Sequence, residues 1–191
     1  VAGDWLSASR SDVAAEKILD AADELFVRHD AAAVGMNEIA RAAGCSRATL
    51  YRYFENRDAL YTAFVHRETH RVFRDLGARL DPTATPAQRL VDAILGALRL
   101  VRENPALSSW FAPSQRPIGG EMAERSDLIR SLTEAYLTSL GIADVQQKAR
   151  WVVRVMISLL VFPGHDEADE RAMLEEFVLP AVTPSPAKAA R

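Results

Sequence analysis

Apolar residues recur along this chain at intervals of three and four, the spacing that lines one face of an α-helix. The first such stripe is Ile18, Ala21, Ala22, Leu25 and Phe26, with Glu16, Asp20, Asp23 and Glu24 on the solvated side. Strand-like alternation between Asn-Gly or Asp-Gly turns is absent. Ala, Leu, Arg and Glu dominate the long stretches, so the pattern predicts an all-α protein. Sparse punctuation sets the boundaries: Asp30 to Gly35, Gly44, Asn56-Arg57-Asp58, Asp81 to Pro86, Asn104-Pro105, Ala112 to Gly120, Leu140-Gly141 and Pro163-Gly164. Between them the spacing predicts nine helices, over about 11–29, 36–43, 47–53, 57–79, 86–103, 105–111, 120–139, 144–162 and 168–180. Residues 182–191, with Thr183-Pro184-Ser185-Pro186, carry no periodicity and are expected to form a disordered tail.

Composition narrows the class. A chain of 191 residues with 49% apolar and 26% charged residues suits one domain or two small ones with a substantial core. Its apolar runs, such as Leu159 to Phe162, are far too short to span a bilayer, so no membrane association is expected. The start, Val1 to Trp5, has neither the basic nor the apolar region of a secretion signal. The single cysteine, Cys45, excludes an internal disulfide and a multi-cysteine zinc site and fits a reducing cytoplasm. A net charge of −3 excludes a uniformly basic nucleic-acid binder while leaving room for a locally basic one.

Such a local site lies between Asn37 and Tyr53. Two short helices crossing steeply need particular residue types at fixed offsets. Ile39 and Ala43 face a core one turn apart, and Ala40 is small where the second helix crosses. Gly44 permits the positive φ of a tight turn. Cys45 is compact enough to plug the space below it, and Ser46 suits the N-cap of the next helix and is also counted among the DNA-binding candidates. Leu50 and Tyr53 return that helix to the core. From Arg41 to Arg57 there are four arginines against one acid, Glu55, in a chain that is acidic overall. This is the electrostatic footprint of a DNA reader. Arg47, Ala48 and Thr49 open the second helix, where base edges are reached: arginine can pair with guanine, and the other two can touch a thymine methyl. Tyr51, Arg52, Tyr53 and Arg57 have the reach to hold phosphates. Tyr53 suits a core position equally well.

The run Ile18 to Phe26, then Glu38-Ile39-Ala40, Ala43-Gly44-Cys45-Ser46, and Thr49-Leu50-Tyr51-Arg52-Tyr53-Phe54 through Leu60 resembles the DNA-binding domain of the TetR family of repressors, over about residues 13–65. The resemblance implies an N-terminal three-helix helix-turn-helix domain, here 11–56, joined by a fourth helix to an all-helical regulatory and dimerisation domain, 57–181. It implies DNA-facing positions at Asn37, Arg47, Ala48, Thr49, Tyr51, Tyr53 and Arg57. Gly35 stands where a threonine cap is usual, Cys45 where valine is common, and Arg57 where lysine is common; glycine still caps and arginine still holds phosphate.

Beyond residue 65 the residues speak alone. Residues 144–162 are apolar nearly all round, which demands burial on two sides. A second copy of the chain is the natural cover, with Val155, Leu159 and Phe162 joined by Leu174 and Phe177 of the last helix. One large monomeric core is the competing explanation. Large apolar groups on several helices (Phe73, Leu98, Trp110, Phe111, Met122, Tyr136, Trp151 and Met156, with Phe64 and Leu95) could line a ligand cavity, and each also fits plain core packing. Trp110-Phe111, between Pro105 and Pro113, is the favoured wall. Arg99, Gln115, Glu121 and Tyr136 are the polar choices. His66 and His70 lie one turn apart without an identifiable third ligand, so no metal or other cofactor is expected.

Together these features predict a homodimeric transcriptional regulator, a repressor whose two heads grip a palindromic double-stranded DNA operator until a small hydrophobic effector shifts their spacing. The uninterrupted helix 57–79 is the lever. No phosphate loop, nucleophile elbow or supported carboxylate pair points to an enzyme. A helical protein-interaction module without DNA binding is the other alternative.

Overall fold

The computed structural model describes residues 4–111 and 118–183, with side chains from Asp12 onward. Among the described residues there are ten helices and no strand. They are α1 (Asp4–Arg28), α2 (Met36–Ala42), α3 (Arg47–Tyr53), α4 (Arg57–Gly77), α5 (Pro86–Glu103), α6 (Pro105–Ser108), α7 (Ile118–Arg125), α8 (Asp127–Ser139), α9 (Val145–Val161) and α10. The last runs through Glu167–Met173, a π-helical turn Leu174–Val178, and a final turn Leu179–Val182.

Caps explain most boundaries. Thr85 accepts from the backbone N–H of Gln88 while the Gln88 side chain accepts from Thr85 N, and Pro86 fills the first helical position of α5. Asn56 accepts from Ala59 N to start α4, and Asp166 accepts from Asp169 N to start α10. One cap breaks a predicted element. The single helix expected over 120–139 is α7 and α8, separated at Ser126, whose hydroxyl accepts from Ile129 N at 3.2 Å. The helix expected over 105–111 is helical only through Ser108 and continues as turns to Phe111. The end of the chain also differs. Pro180 has no N–H to donate, and the π turn directly before it widens the helix so that the chain continues to Val182. Val182 is fully buried, so the tail expected from 182 does not begin there. Residues 184–191 lie outside the described residues.

Two cores organise the chain. The first closes on Phe26, whose ring meets Tyr61, Phe64 and Trp110 edge-on at centroid distances of 5.3, 4.9 and 5.3 Å. Trp110 also stacks on Phe64 at 5.4 Å. This core joins α1, α2 and α3 to the first half of α4 and to α6, so head packing extends past residue 56 as far as Trp110. The second core holds Leu90, Leu98, Leu137, Val152 and Leu174 among α5, α8, α9 and α10. Ion pairs clasp α10 onto α5: Arg99–Glu167 at 2.6 Å, Arg102–Glu170 at 2.6 Å and Arg171–Asp92 at 2.8 Å.

Candidate nucleic-acid interface and internal cavity

Gly44 has φ of +66°, the left-handed geometry its position requires. The carbonyls at the end of α2 are closed by Gly44 N donating to Arg41 O (3.1 Å) and Cys45 N donating to Ala40 O (3.0 Å). Ser46 Oγ then accepts from Thr49 N at 3.0 Å and lies 2.9 Å from the Thr49 hydroxyl, fixing the first turn of α3. Ser46 therefore serves the helix start. Leu50 is fully buried and pins α3 on the first core. The opposite face presents Arg47, Ala48, Tyr51 and Arg52 to solvent, with Asn37 exposed at the start of α2 and Thr49 half-buried.

Stacking shapes this face. The Arg47 guanidinium lies 5.2 Å from the centre of the Tyr51 ring, and Arg52 lies 5.3 Å from that of Tyr53. Among the described residues neither arginine has an ion-pair partner, so both retain their donors. Tyr53 is half-buried against the first core, which joins its two readings: ring inward, Arg52 beside it. Arg57 also has a role within the chain. Its Nη2 donates to Ala32 O at 2.6 Å and Ala31 O at 3.3 Å, and its guanidinium sits over Tyr61. Tyr61 in turn donates from its hydroxyl to Ala31 O and Val34 O. Arg57 thus ties α4 to the loop between α1 and α2, and those contacts occupy one of its amino groups.

Behind the head, α4, α5, α8 and α9 surround an almost wholly apolar cavity of about 150 Å³. Of the candidate residues, Phe73, Trp110, Phe111, Tyr136 and Met156 line it. Leu98, Met122 and Trp151 do not. Leu98 is fully buried in the second core, Met122 borders a separate groove beside α4, and Trp151 is 46% exposed on the outer face of α9. Gly119 lines the cavity where the start of α7 meets α6; a Cβ there would fall 2.8 Å from Trp110 O and 2.9 Å from the Phe111 ring. The polar choices fare differently. Tyr136 donates to Arg89 O at 2.9 Å, whereas Arg99 and Glu121 are exposed and ion-paired to Glu167 and Arg125; Gln115 lies outside the described residues.

The polar group that sequence reasoning missed is Glu68, buried on the cavity wall. Its signal was present: it occupies a core register on α4, four residues after Phe64 and four before Val72. Its Oε1 accepts from Arg67 Nε at 3.0 Å and Arg71 Nη1 at 2.8 Å. Arg67 in turn donates to Asp20 and to Leu19 O on α1. Burial outweighs Arg71 and Arg67 and raises the Glu68 pKa above the ordinary carboxylate value. On α4 His66 is half-buried and His70 exposed; among the described residues no cluster of three or more His, Cys, Asp or Glu could hold a metal.

The expected pairing face is only partly free. Leu159 and Leu174 are buried within their own chain, because α10 folds back over α5 and α9 and uses both as core. Val155 is half-buried, while Phe162 (76% exposed) and Phe177 (62%) stand open, as does Trp151. No described helix is long and apolar enough to cross a membrane.

A family model described as bacterial regulatory proteins, tetR family, matches residues 18–64, the segment that carries this motif. The HTH-type transcriptional regulator Rv1255c of Mycobacterium tuberculosis (strain ATCC 25618 / H37Rv), itself uncharacterized, is 58% identical over 189 residues, covering 97% of this chain and 94% of that protein. The chain belongs to the TetR family of transcriptional regulators. Solved structures share its architecture. RolR in complex with resorcinol superposes with a TM-score of 0.73 at 18% identity, over 95% of this chain and 93% of that one. The TetR family repressor AlkX from Dietzia sp. gives 0.63 at 26% identity, over 86% and 95%. Membership makes this a DNA-binding helix-turn-helix regulator and not an enzyme.

Proposed function

We propose that this TetR-family regulator acts in the cytoplasm as a homodimeric repressor. The dimer holds a palindromic double-stranded DNA operator and releases it when a small, mainly apolar effector enters the cavity. The observation that carries this reading is the pairing of α3, whose arginines face solvent with no ion-pair partner among the described residues, with an apolar cavity bordered by α4. Cavities of this size accept a single aromatic ring. The resorcinol held by RolR supports a molecule of that class in the same fold. Phe162, Phe177 and Trp151 support pairing through α9 and α10, since a second copy is what would cover them while setting two α3 helices one duplex turn apart. The switch requires that effector prefer the arrangement that fits DNA poorly, and that DNA weaken the effector by the same factor.

An electrophoretic shift assay on the DNA upstream of the protein's own gene tests the reading. With two or three phosphates neutralised per subunit, log affinity falls against log salt with a slope of about −4 to −5. Arg47→Ala relaxes base preference, whereas Arg52→Ala weakens all sequences alike. Identical footprints and affinities for the two variants would contradict this division, and a monomer in sizing chromatography would contradict the pairing.

A further inference from the structure

The polar groups on the cavity wall differ in how much bonding capacity they have left: Trp110 Nε1 is a buried donor without a partner, Thr69 contributes a hydroxyl, and the other three are Thr133, Tyr136 and Glu68. Thr133 donates to Ile129 O at 2.7 Å and Tyr136 to Arg89 O at 2.9 Å, so both hydroxyl protons are used. Glu68 is different. Both arginines bind its Oε1, while Oε2 has only the Asn104 side-chain amide at 3.4 Å, a long contact. A carboxylate offers about four acceptor positions. One that is 2% exposed, with an oxygen this poorly supplied, is short of donors where little water can reach it.

We propose that Glu68 Oε2 is the polar subsite of the cavity, and that it selects a neutral, mainly apolar molecule of single-ring size carrying a hydrogen-bond donor, a phenolic or alcoholic hydroxyl. This rests on the reading of the cavity as the effector site. Charge favours a neutral donor. Arg67 and Arg71 already balance the carboxylate, so a cation gains little there and loses its water; an anion meets like charge. A hydroxyl adds a charge-assisted bond at small desolvation cost. The position also gives the ligand something to move. Asn104, whose amide the hydroxyl replaces at Oε2, caps α6 by accepting from Ala106 N and Leu107 N. The chain leaving α6 carries Trp110 onto Phe26 of α1. Through Arg67 the same carboxylate reaches Asp20. Glu68 therefore touches the cavity and the α6 cap directly, and the head's first helix through Arg67.

Phenol and toluene, nearly equal in size, make the test. A cavity without an acceptor binds toluene more tightly, because the hydroxyl surrenders its water for nothing. Titration calorimetry on the full chain is expected to show the reverse order, with phenol at least about tenfold tighter. Glu68→Gln is expected to lower phenol affinity several-fold and Glu68→Met to restore the toluene preference, with toluene affinity nearly unchanged in both. Tighter toluene binding by the unaltered protein, or a phenol preference that survives both substitutions, overturns the subsite. If Glu68→Met does not fold, the unaltered protein and Glu68→Gln decide the matter. Binding of toluene alone removes the subsite and leaves the cavity as an effector site. Binding of neither compound removes both.

Discussion

Two glutamates, one at the joint between head and body and one on the seam between α5 and α10, are equally buried and respond to burial in opposite ways. Glu170, 2% exposed, is gripped by Arg102 through both oxygens, at 2.6 and 2.9 Å, and also accepts from Gly164 N at 3.0 Å. Those hydrogen bonds, Arg102 first, hold its pKa below the ordinary 4.5 against the pull of desolvation. Glu68 has two arginines, but both use one oxygen, and desolvation raises its pKa from the same starting value. Burial and the presence of a counter-ion are thus poor guides to what a buried charge does. The supply of donors to each oxygen decides. A chelated carboxylate fastens two helices together, whereas a half-supplied one beside a cavity is left able to accept a ligand.

The largest effect that sharpens this contrast comes from removing the chelating partner. Arg102→Met leaves Glu170 buried with only Gly164 N, and Leu159 O loses its donor as well. We expect a loss of about 3 kcal/mol in denaturant unfolding at neutral pH. A loss below about 1 kcal/mol would mean that the Arg102 grip does not fasten α10. The next effect is the acid limb. Because the Glu170 pKa is depressed in the folded chain, its contribution is fully present above the ordinary 4.5 and fades as pH falls below that value toward its folded pKa. Glu170→Gln is therefore expected to cost about 1–2 kcal/mol at pH 7 and to flatten the decline of stability between about pH 5 and 3. Parallel acid limbs for the two proteins would remove this carboxylate from the account.

Local chemistry was legible in the sequence and long-range packing was not. Gly44, Ser46 and Leu50 announce the turn between α2 and α3 because each requirement (positive φ, an N-cap, an apolar anchor) is met within a few residues. The boundaries of α3 and α5 follow for the same reason. Leu159 and Leu174 misled because apolarity marks a residue for burial without saying by what; α10 folding onto α5 and α9 supplied the cover that a second copy had been expected to give. For Arg57 the sequence showed its reach but not its bonds to the carbonyls of Ala31 and Ala32, some 25 residues away. Glu68 shows the converse. Its place in an apolar stripe was readable, but its sense was not, since the groups that satisfy or neglect its two oxygens come from α4 itself and from Asn104 beyond α5.

The smallest expected effect is also the most discriminating. Glu68→Gln removes a charge that burial disfavours while keeping the shape and a carbonyl for the arginines. Arg67 retains Asp20 and Leu19 O, and Arg71 is 43% exposed, so neither is stranded. The folded pKa of Glu68 lies above its unfolded value, so ionisation weighs against the fold: this group adds stability as pH falls from neutrality through its raised pKa, the opposite of Glu170. At pH 7 the substitution is expected to change stability by less than about 1 kcal/mol, in either direction. On acidification the unaltered protein should gain on the variant, whereas in the Glu170 pair the unaltered protein should lose ground. Chemical denaturation of the Glu68 pair at pH 7 and pH 5, and of the Glu170 pair above and below its ordinary 4.5, measures the two differences directly. Should Glu68→Gln cost as much as Arg102→Met, the Glu68 carboxylate is a fastening like Glu170, and the distinction between the two sites disappears.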